Sequence, residues 1–461
     1  MPDPVPAQRV AEADPPDPLS ILRSRSYVGL LVVAALLGVP ISAAAYFFLQ
    51  FVSHAQRWVY TDLPAGLGLS RSPTWWPVLP LVLAGLLVGL AVRFLPGRGG
   101  EVPVEGLQAG KGPAIPRELP GIALASLATL ALGAVVGPEG PLIALGGGLA
   151  ALAVRFAKRG APAQAVAVVG AAGSFAAVSA LLGSPLLGAF LLMEASGLGA
   201  MLGVVLVPGL LAAGIGALIF VGLDSLTGFG SVSLSIPDLP PFVHPDGVQF
   251  VWALVIGGTA AVVGTAIRRG AQLLRPHVER RVLISTPIAG LAIALLAIGY
   301  EQGTNKATSD VLFSGQEAIG PLIHDNAAYS VGALLLLVLC KGTAYSISLC
   351  SFRGGAVFPA MFLGAAGGIA FSHLPGLPVV PGVAMGIGAM CVVMLRLTLV
   401  SVLLDTLLLE ADGLTAMPLV IVAVVVAHVV TARITPNPPE HSGRPRPATR
   451  PHALPSPVTA H

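Results

Sequence analysis

The sequence predicts an all-helical protein that crosses a membrane many times. Three observations carry that prediction. Hydrophobic residues make up 55% of the 461-residue chain and charged ones only 10%, with a mean hydropathy of +0.85. A water-soluble globular chain carries roughly 25% charged residues, so this one cannot cover a wetted surface. Several apolar runs approach or exceed the roughly twenty residues that cross the hydrocarbon layer as a helix. Other apolar runs are shorter and interrupted by glycine and proline, as irregular membrane helices are.

Taken along the chain, residues 1–26 are mostly Pro- and acid-rich with no apolar core, and read as a disordered cytoplasmic N-terminus rather than a signal peptide. Long runs follow at Tyr27–Val52, Val166–Met193, Met201–Val221, Phe250–Ile267, Val282–Ile298, around Val331–Cys340, and at Met417–Val430. Shorter runs lie at Gly121–Val136, Pro141–Val154, Phe358–Phe371 and Leu397–Leu409, making ten or more helices of uneven length. Residues 433–461 read as a disordered Pro-rich tail. Arg23 and Arg25 precede the first helix, and Arg433, Arg444, Arg446 and Arg450 follow the last. Basic residues at membrane ends favour the cytoplasmic side, which places both termini, and the expected loops Arg155–Arg159 and Arg268–Arg281, inside an inner (plasma) membrane.

Composition also narrows the function. A net charge of +3 with no basic, aromatic-studded face argues against nucleic acid. Cys340, Cys350 and Cys391 lack metal-ligand spacing and read as buried small hydrophobes. No nucleophile–base pair or metal cluster sits in the spans, so neither an enzyme nor a bound cofactor is expected.

The chain echoes itself. Gly137-Pro138-Glu139-Gly140-Pro141 opens a helix of small residues, and so does Gly354-Gly355-Ala356-Val357-Phe358-Pro359. The first leads on to the helix from Pro185 to Glu194, the second to the stretch from Thr398 to Glu410. Two halves of similar plan, roughly 27–225 and 249–432, are what repeat-built transporters look like in sequence, and matched Gly/Pro-broken segments mark their binding site.

The chemistry follows from helix ends. The prolines and glycines of Gly137–Pro141 cannot continue a preceding helix, so a new one starts there, with unpaired N–H groups and about half a positive charge at its end. The Gly354–Pro359 segment offers a second such end. Two converging ends would hold a dehydrated anion without a fixed cation that traps it. Glu139, at about +2.5–3.5 kcal/mol for a carboxylate among spans, would compete for that site and empty it when protonated or swung aside. Lys341 and Arg353 would either draw anions to a vestibule or pair with headgroups. Arg396, Asp405 and Glu410 are expected to be paired or interfacial.

These residues resemble a family. Gly137–Pro141 resembles the G-[KR]-E-G-P signature of the CLC chloride channels and chloride/proton antiporters; Gly355–Pro359 resembles their G-x-F-x-P segment; Ser184–Gly188 through Glu194 is similar to the helix between them. The resemblance covers about residues 27–432. It implies an inverted repeat of many tilted, uneven and broken helices, a homodimer embedded in lipid, and one pathway per subunit for chloride or a similar small anion. It makes Glu139 the gate, with Gly137, Pro138, Gly140 and Pro141 around the anion and the amides of Ala356, Val357 and Phe358 upon it. Four positions depart from the pattern. Gly100, in Gly99-Gly100-Glu101-Val102-Pro103, stands where the family has a pore serine. Pro138 replaces the basic residue before the gate. No tyrosine follows Tyr345 to serve as the pore tyrosine, and Ala195 replaces a second glutamate beside Glu194, which is left as the candidate proton relay. The departures favour channel-like or loosely coupled anion transport. A proton-coupled antiporter of chloride or fluoride and a non-transporting scaffold or sensor also fit the sequence.

Overall fold

A computed structural model describes residues 23–69, 72–106, 112–196, 202–230, 236–237 and 239–435. The disorder expected for residues 1–26 and 433–461 therefore falls almost wholly outside the described residues. Their inner edges are helical, from Arg25 and up to Ile434. The first helix, α1 (Arg25–Arg57), is capped by Ser24, whose hydroxyl accepts the Tyr27 N–H at 3.1 Å. It runs on through a π turn to Gly66. Then come α2 (Val78–Phe94), α3 (Leu119–Ala131), α4 (Glu139–Ala157), α5 (Ala163–Leu181), α6 (Pro185–Ser196) and α7 (Leu202–Thr227). The second half holds α8 (Gly247–Arg280), α9 (Val282–Thr304), a short α10 (Ile319–His324), α11 (Val331–Ser351), α12 (Val357–Ser372), α13 (Val379–Leu395), α14 (Thr398–Leu408) and α15 (Glu410–Ile434).

Among the described residues, eight helices are long and apolar enough to cross a bilayer, and α2, α6, α12, α13 and α14 are shorter apolar ones. Large apolar side chains face outward, Leu36, Phe94 and Leu218 among them. Water would penalise such an exterior and lipid does not. The chain is a multi-span membrane protein.

Three expectations change. The run Val166–Met193 is not one span: α5 stops at Leu181, Gly183 turns with φ +63°, and Pro185 opens α6. Proline disfavours helix in the residue before it and suits a helix's first position. The basic stretch Arg268–Arg281 is not a loop but the end of α8, where Arg275 pairs with Glu279 one turn on at 2.6 Å and with Glu105 at 2.5 Å. Helices α2 and α13 were not among the expected spans, being short and glycine-rich.

The packing order of the first half recurs in the second. Helix α5 lies against α1, α4, α6 and α7; α13 lies against α8, α12, α14 and α15 in the corresponding places. Helices α1 and α7 pair as α8 and α15 do. The halves then meet through counterparts: α2 against α9, α6 against α14, and the entry of α4 against that of α12. Contacts of like with like are what two related halves about a two-fold axis produce. At the α2–α9 crossing the approach is backbone on backbone, since a Cβ on Gly85 would lie 2.5 Å from the Thr286 carbonyl carbon. The Thr286 hydroxyl donates to Gly85 O at 2.6 Å there. Small residues at helix crossings permit such packing where lipid gives no hydrophobic drive.

Candidate anion site

The site is built where the two broken entries touch. Gly137 and Gly355 form an isolated antiparallel bridge, Gly137 N–H donating to Gly355 O at 2.9 Å and Gly355 N–H to Gly137 O at 2.5 Å. This satisfies backbone groups that neither entry could satisfy within itself, as irregular backbone in a membrane interior requires. Beyond the bridge α4 starts at Glu139 and α12 at Val357, so the two helix N-termini stand side by side. A Cβ on Gly140 would sit 2.7 Å from Gly354 O, so only a glycine lets the strands approach this closely.

Glu139 is fully buried. One carboxylate oxygen, Oε1, accepts the Phe358 N–H at 3.0 Å. The amides of Val357 and of Glu139 itself lie close enough to act on the same group. The carboxylate of one half thus occupies the N-terminus of the other half's helix, where unpaired donors and the helix dipole favour negative charge. The other oxygen, Oε2, is buried without a hydrogen-bond partner and lies over Gly355, where a Cβ would collide with it. The carboxylate is placed like a bound anion, and only partly tied down.

On the other side of the bridge lies a cavity of about 580 Å³. Gly99–Pro103, Gly140, Pro141 and Arg353–Ala356 line it together with Ile122, Ser126 and Ser174. All three sequence motifs meet there. Gly100, Gly140, Pro141, Gly355 and Ala356 face one space; Gly137 lies in the bridge; Val357 and Phe358 act through their amides on Glu139. Pro138 and Pro359 do not line the cavity: Pro138 is the N-cap of α4 and Pro359 is packed in the first turn of α12. The Gly97–Gly100 turn has four positive φ angles in a row, Arg98 at +50° among them. Its shape is held by Arg353, whose Nε donates to Arg98 O at 3.3 Å while Nη1 donates to Phe352 O at 3.2 Å. Arg353 is buried against the cavity wall, on the vestibule side of the two roles open to it.

Lys341 has neither expected role. It is wholly buried, and its Nζ donates to the carbonyls of Asp310, Val311 and Leu312 at 3.0–3.1 Å and of Phe313 at 3.4 Å, with the Phe362 ring 4.3 Å away. It is the centre of a folded connection, which then docks through Phe313 N–H on Gly133 O, just ahead of the first motif. Glu194 reaches across from α6 to the start of α14 and accepts three amides, Thr398 and Leu399 on Oε1 at 2.6 and 3.1 Å and Val400 on Oε2 at 2.9 Å. Asp405 is neither paired nor interfacial: it is fully buried with no hydrogen-bond partner on either carboxylate oxygen.

One residue escaped the sequence. Tyr345 lies on α11 and its buried hydroxyl donates to Ala356 O at 2.7 Å, within electrostatic reach of Glu139. The sequence has no tyrosine further along to serve the site, and nothing in the spacing shows that α11 folds back to bring this one there. Cys340, Cys350 and Cys391 are free and buried.

Fold and site together define a repeat-built α-helical membrane protein of transporter architecture, two broken helices meeting at a buried carboxylate. The chain belongs to the voltage-gated chloride channel family, whose model matches residues 84–432. It is 27% identical over 384 residues to YfeO of Escherichia coli, a protein named for a proposed role in ion transport, covering 81% of this chain and 86% of that one. The same-named protein of Salmonella paratyphi A is 28% identical over 384 residues, with 81% and 88% covered. Among solved structures, a slow cyanobacterial Cl−/H+ antiporter matches with a TM-score of 0.70 at 18% identity, covering 89% of this chain and 95% of the other. A CLC-type fluoride/proton antiporter matches at 0.66 with 19% identity, covering 88% and 96%.

Proposed function

We propose that the protein carries chloride or a similar small anion, fluoride included, across the membrane, and that Glu139 is the gate. The observation that carries this reading is the Glu139 carboxylate held by the Phe358 amide at the start of α12, with its second oxygen unpaired. A permeant anion would take the same amides once the carboxylate leaves. The route runs from the cavity, whose wall carries the Arg353 charge, past Gly100 and the Gly137–Gly355 bridge to the amides of Ala356, Val357 and Phe358. Donors at this site are backbone amides with partial charge, which suits an ion that must leave again. The same reading keeps two repeats near 27–225 and 249–432, a homodimer, and an inner membrane with both termini on its cytoplasmic side.

Glu194 has a structural part in this reading. A carboxylate that accepts three amides at a helix start is a cap, and caps are worth about 0.5–2 kcal/mol.

The test is efflux from liposomes loaded with chloride, and in parallel with fluoride, through the purified protein and through Glu139→Ala. Efflux that the substitution changes is the expected result. No efflux of either ion from either protein would overturn the reading and leave a scaffold or sensor.

A further inference from the structure

Asp405 sits on α14 among apolar helices, 0% exposed, with neither oxygen hydrogen-bonded. An ionised carboxylate in such surroundings costs many kcal/mol, and ionisable groups inside membrane proteins mark proton or ion routes. Helix α13 packs against α14. Its Cys391, also 0% exposed, lies within electrostatic reach of both Asp405 and Glu139, and Tyr345 within reach of Cys391 and Glu139. Among the titratable groups on elements packed against α14, Glu194 of α6 is bound to its first turn. Glu410 and Asp412 of α15 follow its C-terminal end, Asp412 accepting the Phe242 N–H. Cys391 is the one that lies between Asp405 and the gate.

We propose that Asp405 is a proton-holding residue that exchanges its proton with Glu139 past Cys391, in the place of the second glutamate missing at Ala195. The exchange is neutral overall: the O–H bond of the Asp405 carboxylic acid breaks, an O–H bond forms on the Glu139 carboxylate, and the negative charge moves from the gate to Asp405. The protonated gate then no longer competes with the anion, and Asp405 recovers a proton before the next cycle. This rests on the anion-transport reading and goes past it, since it couples the anion to protons through a residue outside the three motifs.

The experiment records anion efflux and external pH together from liposomes holding the protein, Asp405→Asn, Asp405→Glu or Cys391→Ala. Proton movement should accompany efflux in the unaltered protein. Asp405→Asn should keep the anion efflux and lose about a hundredfold in proton movement, the scale of a lost proton-transfer group; Asp405→Glu should restore it, and Cys391→Ala should slow it. Anion efflux without protons from the unaltered protein, or proton movement unchanged in Asp405→Asn, overturns the proposal. Infrared difference spectra of the same proteins stand apart from transport. A buried protonated-carboxyl band that vanishes in Asp405→Asn is expected, and its absence overturns the proposal even if no anion moves, whereas its presence with no anion movement removes only the transport reading.

Discussion

Gly355 carries a consequence larger than its size. A Cβ there would collide with Glu139 Oε2, so Gly355→Ala must push the carboxylate off the Phe358 amide or push the bridge apart. We expect faster anion efflux from Gly355→Ala, approaching that of Glu139→Ala, measured as ion release per protein in liposomes. A slower or unchanged rate would mean that the carboxylate does not need this position. Lys341 makes the opposite kind of prediction. Lys341→Met would leave carbonyls of residues 310–313 buried without a donor, at about 1–3 kcal/mol each. The expected result is a clear fall in the thermal midpoint in detergent with the anion preference of any surviving activity unchanged. An altered preference would give Lys341 a part in the pathway. Both residues are visible in the sequence, but not their surroundings. Gly355 belongs to a recognisable motif; the carbonyls that claim Lys341 lie about thirty residues earlier and arrive only through tertiary folding.

At the scale of the element, the short helices do the work that sequence length obscures. Glu194→Gln keeps the shape of the side chain and removes its charge from the start of α14. We expect it to destabilise the protein by about 0.5–2 kcal/mol, the worth of a cap, and to leave the ratio of protons to anions unchanged. A lost ratio would restore Glu194 as the relay. The α2–α9 crossing is tested by Gly85→Ala, whose Cβ would stand 2.5 Å from the Thr286 carbonyl carbon and 2.6 Å from Pro287 Cα. Overpacking of this kind costs about 1–3 kcal/mol, seen as a lower unfolding midpoint, and an unchanged midpoint would mean that the helices slide apart at little cost. Helices α4, α8, α12 and α15 were legible because apolar runs and Gly/Pro breaks announce them. Helices α2 and α13 were not, because a glycine-rich run of 17 residues has no length or polarity signal to separate it from a connection.

For the whole molecule, the proposed assembly makes a direct prediction. In mild detergent the protein should run at twice the mass of one 46.6 kDa chain, and a single-chain mass would count against the homodimer. The proposed pathway adds that both halves must be present for function, because the gate comes from α4 and its amide from α12. No fragment ending near residue 230 should move anions even if it inserts into the membrane.

The sequence by itself determined that the chain lives in a membrane, that its backbone breaks at Gly137–Pro141 and Gly354–Pro359, and that Glu139 stands at such a break. Those properties are local: hydropathy, proline and glycine act within a few residues of themselves. Tertiary structure alone decided that Glu139 accepts from Phe358, that Tyr345 reaches Ala356, that Glu194 caps a helix some two hundred residues away, and that Asp405 has no partner. In each of these the role of a polar group is set by which donors surround it after folding. In a membrane interior, where water cannot stand in for a missing partner, that choice separates a cap from a gate.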